Sequence, residues 1–321
     1  LLLNSESQAA RRTWRPTTAS GTWSTAANWL EGAVPVAADE VIIDPSVDVS
    51  ITGVPSQSID SLTIGATSGR TISLTGTSGT LTVGTITRLL AGNVTLTLNA
   101  LTLTATGATT INASATLNIA SGATFNSVGG VTGAGSILVY GTLNNNTTGT
   151  NSIQPSIVQV YRGGIYLHSR NGGAVTTATW NTGSLARFTG ITNTTPSANI
   201  NQAYFDFEWN CAQTSNIDLG LGTGFSTAGD FRVLRTSSAT NSANGINGNP
   251  AIGFALTLFN GSTASDVSFN IGDDFEVGTT GATTVNAFVV LSKLLLYKIF
   301  KSFFRNKRLY NGINYILFLF I

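Results

Sequence analysis

Val94-Thr95-Leu96-Thr97-Leu98-Asn99-Ala100-Leu101-Thr102-Leu103-Thr104 decides the fold class of this chain. Val94, Leu96 and Leu98 point one way and Thr95 and Thr97 the other, the period of a strand with one buried face. β-branched Thr and Val suit a pleated surface and are poor helix formers. No stretch of residues 1–290 carries a sustained 3.6-residue apolar stripe with caps. Outward from this stretch the same texture recurs. Leu62-Thr63-Ile64, Leu81-Thr82-Val83, Leu101-Thr102-Leu103, Leu117-Asn118-Ile119 and Ile137-Leu138-Val139 follow one another at short, uneven intervals. Between Gln57 and Gln154 there is no proline, and between Ser61 and Ala203 no acid.

Many short strands at uneven intervals suit a solenoid, in which each coil of about 20 residues rests on the last. Hairpins would call for tight Asn-Gly or Asp-Gly turns, scarce before residue 150. The expectation is therefore an all-β, right-handed parallel β-solenoid (β-helix), with a β-sandwich second. Residues 10–45, rich in Trp and Pro, read as an N-terminal cap, 46–150 as a first solenoid region and 151–290 as a second with longer coils. In the second region Phe205, Phe231 and Leu256 open apolar runs at a wider spacing, and Gly229-Asp230-Phe231 is echoed by Gly272-Asp273-Asp274-Phe275. The polar link Asn144–Gly149 reads as a boundary. Leu1–Ala9 reads as the remnant of an export signal, Ser7 and Ala9 being the small residues before the cut, or equally as a fragment edge.

Composition narrows the function. The chain has 321 residues, 10% of them charged, where about a quarter is usual. One Cys excludes an internal disulfide and a Cys-based zinc site. One His leaves at most one histidine base. No cofactor is expected. The net charge of +1 hides a division: residues 1–290 hold ten Arg against all fifteen acids, whereas 291–321 hold Lys293, Lys298, Lys301, Lys307 and two Arg with no acid. The body thus lacks the electrostatic footprint of a nucleic-acid binder. The basic, apolar tail reads as out-of-frame sequence. A membrane contact is expected only if the tail is authentic, and its longest uncharged run, 309–321, is short of the roughly 20 residues that span a bilayer.

The most specific segment is Gly21-Thr22-Trp23-Ser24-Thr25-Ala26-Ala27-Asn28-Trp29, followed by Gly32, Pro35, Asp39, Val41 and Ile43. Trp23 and Trp29 beside a turn fixed by Pro35 would plug the exposed end of a solenoid, with Asn28 bonding the loop backbone. This run resembles the N-terminal segment of large secreted bacterial surface proteins with repetitive β-helical regions, exported by the type IX secretion route. Asn171-Gly172-Gly173, Thr179-Trp180-Asn181, Phe188-Thr189-Gly190-Ile191 and Phe207-Glu208-Trp209-Asn210-Cys211 resemble a recurring segment of the same proteins. The likeness covers roughly residues 19–290, and its two Trp-containing stretches are the specific part. It implies an extracellular or bacterial cell-surface location, a long modular chain and a C-terminal sorting domain. No sorting domain is visible in this sequence, which with the tail reads as a fragment. Cargo of this kind includes adhesins and enzymes.

Candidate catalytic residues are few. Asp206 and Glu208, two apart on a strand, share a face, with Phe205, Phe207 and Trp209 on the other. With Asp273 or Asp274 they would serve a polysaccharide lyase or glycoside hydrolase, but no His or Lys nearby tunes them and a solvated strand face is the expected reading. Asp273, Asp274 and Glu276 lack a calcium-loop pattern, and Asp39, Glu40, Asp44 and Asp48 read as edge charges around the cap, so no metal site is expected. His168 reads as a surface or turn residue and Cys211 as a small buried one. Thr-x-Thr pairs beginning at 80, 85, 95 and 102 suggest an ice-binding solenoid, but that spacing forbids all four from stacking on one face of a coil of about 20 residues. The function expected is a non-catalytic secreted or cell-surface structural or adhesin segment, its partners glycans or cell-envelope components.

Overall fold

Apolar residues that alternate along each segment need a dry interior, and stacking one coil on the next supplies it while pairing the backbone. The computed structural model describes residues 9–65, 69–90, 92–150, 152–222, 224–236, 255–258, 270–271, 275–277 and 288–290. Within them the chain is an all-β parallel solenoid, whose one helical element is the 3₁₀ turn Ala26–Asn28. All the strand ladders described are parallel; the single antiparallel contact among the described residues is an isolated bridge between Trp14 and Trp29. The described residues therefore form no hairpin-built sandwich.

Two compact units are present. The first comprises Leu1–Leu167 with Thr176–Asn181, the second His168–Val175 with Thr182–Ile321. In the first unit the coil has three walls. The first wall stacks Gln57–Ile59, Thr80–Val83, Thr102–Ala105, Thr124–Ser127 and Thr142–Asn145. The second stacks Ser20–Thr22, Val49–Val54, Thr71–Gly76, Thr95–Asn99, Thr116–Ile119, Ser136–Val139, Ile157–Val160 and Thr179–Trp180. The third runs from Arg11–Thr13 through Glu40–Ile43, Ser61–Ile64, Ile86–Leu89 and Ala108–Ile111 to Val131–Thr132. The strands Gln57–Ile64 and Thr80–Leu89 turn the corner between the first and third walls, where the register shifts between Ile59 and Ser61.

The core follows from register. Leu81, Leu103, Phe125 and Leu143 stack inward on the first wall. Leu96, Leu117, Ile137 and Val158 do so on the second. Burial of each such side chain is worth about 1.5–3 kcal/mol. The uneven intervals read from the sequence join segments of different walls, since Leu62 lies on the third wall, Leu81 on the first and Leu117 on the second. The link 144–149 lies inside this unit. Asn144 and Asn145 end a strand, and the Asn146 and Thr148 amides donate to Ser127 O and Val128 O one coil earlier.

Coils also stack through their corners. Gly107 lies so close to the coil before it that a Cβ there would sit 1.6 Å from the Thr85 carbonyl oxygen, and a Cβ on Gly129 would sit 2.2 Å from the Gly107 carbonyl carbon. Only glycine allows this approach.

In the second unit Leu185–Phe188, Asp206–Asn210, Phe231–Arg235 and Phe275–Val277 stack in parallel. The two Gly-Asp echoes lead into one rung pair: in register, Phe231 pairs with Phe275, Arg232 with Glu276, and Val233 with Val277. Leu256 belongs to another sheet, between Ile217 and Val289, so the wider spacing of this region also mixed walls. Aromatic rings fill this core. Phe207 stacks on Phe231 at 5.1 Å and meets Phe188 at 4.9 Å, Tyr204 at 5.3 Å and Phe225 at 5.3 Å.

Candidate functional site

Alternation along Asp206–Asn210 sends Phe207 and Trp209 into the core and leaves Asp206 and Glu208 on one outer face. Neither carboxylate is presented as an open pair. Glu208 is only 5% exposed, and Arg187, its register partner on the preceding coil, donates Nε to its Oε1 at 2.6 Å. Asp206 accepts the Asp230 amide at 2.8 Å and faces Arg232 Nη2 at 4.0 Å, while Arg232 also lies 3.7 Å from Asp230. Arg187, Glu208 and Arg232 occupy successive positions of one column, alternating in sign up the stack, and the register continues to Glu276. The chemistry of that column is cross-linking between coils. Asp273 and Asp274 lie outside the described residues, as does the tail 291–321.

At the N-terminal end Trp14, Trp23 and Trp29 are all buried. Trp29 meets Trp14 at 5.2 Å and Trp23 at 5.1 Å, both edge to face, and donates its indole N–H to Trp23 O at 2.8 Å. Asn28 donates Nδ2 to Thr22 O at 2.9 Å. Pro35 is buried and leads into the turn Val36–Asp39, where the Asp39 amide donates to Val36 O.

Asp39 is a hub rather than an edge charge. It is 1% exposed, Oδ1 accepts the Ala10 amide, and Oδ2 accepts the Val36 amide and Arg12 Nε, each at 3.0 Å. Burial raises its pKa, but those two amides and the Arg12 guanidinium outweigh burial and hold the carboxyl below its usual value. Three donors gathered on one carboxylate compensate the burial of its charge.

His168 corrects the sequence reading too. It is fully buried, its ring 5.3 Å from Phe188 and its Nε2 2.9 Å from Gly172 O. Burial pushes its pKa down to about 4, against the Gly172 carbonyl, which raises it. Parity was the available signal: on the strand Ile165–His168, His168 takes the same side as Tyr166. Cys211 is buried, and its thiol is pushed up to about 12 by burial, which removes it from nucleophilic chemistry near neutrality. Among the described residues no three His, Cys, Asp or Glu gather in a metal-holding group, and no helix is long and apolar enough to cross a membrane. A shallow groove on the first unit, lined by Ala108, Gly129, Gly130, Thr132, Thr150 and Ser152, contains no titratable side chain.

The outer surface of the first wall is the feature that strand spacing obscured. The four Thr pairs do not share a face, as their intervals require: Thr95 and Thr97 lie on the second wall and Thr87 on the third. Yet Thr80 and Thr82 stack in step with Thr102 and Thr104, and the ladder continues to Thr124 with Asn126 and Thr142 with Asn144. Its signal is Thr-apolar-Thr/Asn opening at Thr80, Thr102, Thr124 and Thr142, legible once the coil length is allowed to shorten from 22 to 18. Asn126 Nδ2 donates to Thr104 Oγ1 at 3.4 Å and Asn144 Nδ2 to Asn126 Oδ1 at 3.1 Å, so one column is partly bonded along itself. No protein-family model, curated protein or solved structure matches this chain.

Proposed function

We propose that the chain is a non-catalytic structural or adhesin segment of a secreted or bacterial cell-surface protein. The observation that carries this reading is the pairing of the acids best placed for catalysis. Glu208 sits on Arg187 and Asp206 faces Arg232, cations of neighbouring coils, where the pairs hold the stack together. The resemblance of the Trp23–Trp29 and Phe207–Cys211 stretches to type IX-exported surface proteins supports the location. Glycans or cell-envelope components are the partners such a segment meets.

Two measurements test it. The full chain, incubated with neutral and acidic polysaccharides, is expected to release neither reducing ends nor unsaturated products. Asp206→Asn and Glu208→Gln are expected to lower its melting temperature instead. Polysaccharide cleavage that Glu208→Gln abolishes while the melting temperature holds would overturn the reading in favour of a hydrolase or lyase. For location, intact cells treated with protease should lose the chain while a cytoplasmic marker survives; protection of the chain refutes surface display.

A further inference from the structure

Three surfaces of the described chain could receive a ligand. The groove beside Gly129 and Gly130 has a backbone floor and no charged group to orient a solute. The Tyr140–Tyr161 pair, 4.5 Å apart and parallel, offers aromatic surface, but each ring spends one face on the other and the stack does not repeat along the coils. The outward face of the first wall repeats Thr on four successive coils, whereas the Thr71, Thr95 and Thr116 column of the second wall passes to Ser136 and the exposed Ile157, and its Thr97 column to Leu138.

From the geometry we infer that the Thr ladder of the first wall binds ice. Thr80, Thr102, Thr124 and Thr142 occupy one column, and Thr82 and Thr104 begin the parallel one. The ladders between these strands run with no shift of register. Parallel strands place successive hydroxyls of a column about 4.8 Å apart, and residues two apart along a strand about 6.6 Å apart. Rows of oxygen atoms on a prism face of hexagonal ice repeat at spacings close to these two. The wall thus presents a four-coil row of hydroxyls at the first spacing, and Thr82 and Thr104 add the second spacing on two of those coils, a pattern that a water lattice can continue.

Three further properties favour that ligand over a soluble one. Thr is stiff at χ1, so each hydroxyl and methyl is held in place and little freedom is lost on binding. The outward positions of the first wall from Thr80 to Asn144 carry no charge that would hold a competing hydration shell. The hydroxyls of Thr80, Thr102, Thr124 and Thr142 have no protein hydrogen-bond partner among the described residues, which leaves donor and acceptor for water. The outward positions of the ladder themselves carry no aromatic ring on which a neutral polysaccharide would stack.

The test uses the full chain in two assays, thermal hysteresis in a freezing-point osmometer and uptake into a slowly growing ice front. Folded wild-type protein should show hysteresis above buffer and enrichment in the ice. Thr102→Lys and Thr124→Lys place a bulky charge in the centre of the ladder and should return both readings to the buffer level. Thr97→Lys, outward on the second wall, should leave both readings at wild-type values. Circular dichroism melts establish that each variant is folded. Thr102→Ser keeps the hydroxyl but frees χ1, and should reduce hysteresis with the least disturbance to the coil. Absence of ice activity in folded wild type, equal loss in Thr97→Lys, or persistence in both ladder variants overturns the inference. So does retention on insoluble neutral polysaccharide without ice activity.

Discussion

Replacing Gly107 by Ala should disrupt the solenoid, whereas the same change at Gly84, one coil earlier and on the same corner, should be tolerated. A Cβ on Gly84 would meet nothing nearer than 3.4 Å, an ordinary contact. On Gly107 it would lie 1.6 Å from Thr85 O and 2.2 Å from the carbonyl carbon. To reach even the 3.0 Å that real Cβ atoms respect, the separation from Thr85 O would have to nearly double. The bonds that hold this corner are Thr106 N to Val83 O at 3.0 Å, Thr106 Oγ1 to Val83 O at 2.8 Å, and Thr106 Oγ1 to Gly84 O at 2.9 Å. Three bonds at about 1 kcal/mol each, with about 1–3 kcal/mol of overpacking strain, amount to about 4–6 kcal/mol. Gly84→Ala should shift stability by less than about 1 kcal/mol, with the restricted unfolded chain acting in its favour. Thermal melts followed by far-ultraviolet circular dichroism report both; roughly 3 °C corresponds to about 1 kcal/mol for a chain of this size or somewhat smaller. If Gly107→Ala melts within about 3 °C of wild type, the coils are not in backbone contact at this corner and the stacking argument fails.

Acid should destabilise the protein in two steps. Because the folded pKa of His168 is lowered to about 4, the unfolded chain binds the proton first, and stability falls as pH drops from about 6.5 to about 4. Asp39, its pKa lowered by the Val36 and Ala10 amides and Arg12 against the opposing effect of burial, stabilises above the unfolded carboxylate value and loses that contribution below it. Urea midpoints across pH should therefore lose the upper step in His168→Phe and show a smaller lower step, to which Glu31 also contributes, in Asp39→Asn; one shared step in both variants would contradict the assignment. Trp29→Ala removes two edge-to-face contacts and the bond to Trp23 O and should cost about 3–5 kcal/mol, read in a urea melt, with light scattering reporting association through the opened end. Cys211 should resist a thiol reagent at neutral pH until urea unfolds the chain; stoichiometric reaction of the native protein would refute its burial.

Of the candidate site, the sequence showed which face Asp206 and Glu208 take, because side-chain direction on a strand depends only on parity. It did not show that Arg187 and Arg232 sit against them, since those partners lie a full coil before and a full coil after and are brought there by coil length. Asp39 follows the same rule: two of its three donors, at Ala10 and Arg12, come from the segment one coil earlier in the chain. The Thr ladder is hidden in the sequence because two of its coils read Thr-x-Asn and its intervals shorten from 22 to 18.

Local chemistry alone therefore established an all-β chain, the parity that buries Leu96, Leu103 and Phe207, the Trp-rich N-terminal segment and the scarcity of reactive groups. Those properties are written in neighbouring residues, where Cβ direction and side-chain polarity act over two or three positions. Which segment lies on which wall, and hence which Thr meets which Thr and which acid meets which Arg, belongs to the tertiary structure. It depends on how far the chain travels around each corner before it can lie in hydrogen-bond register with the coil beneath, and glycines such as Gly107 and Gly129, whose bare backbones touch, set that distance.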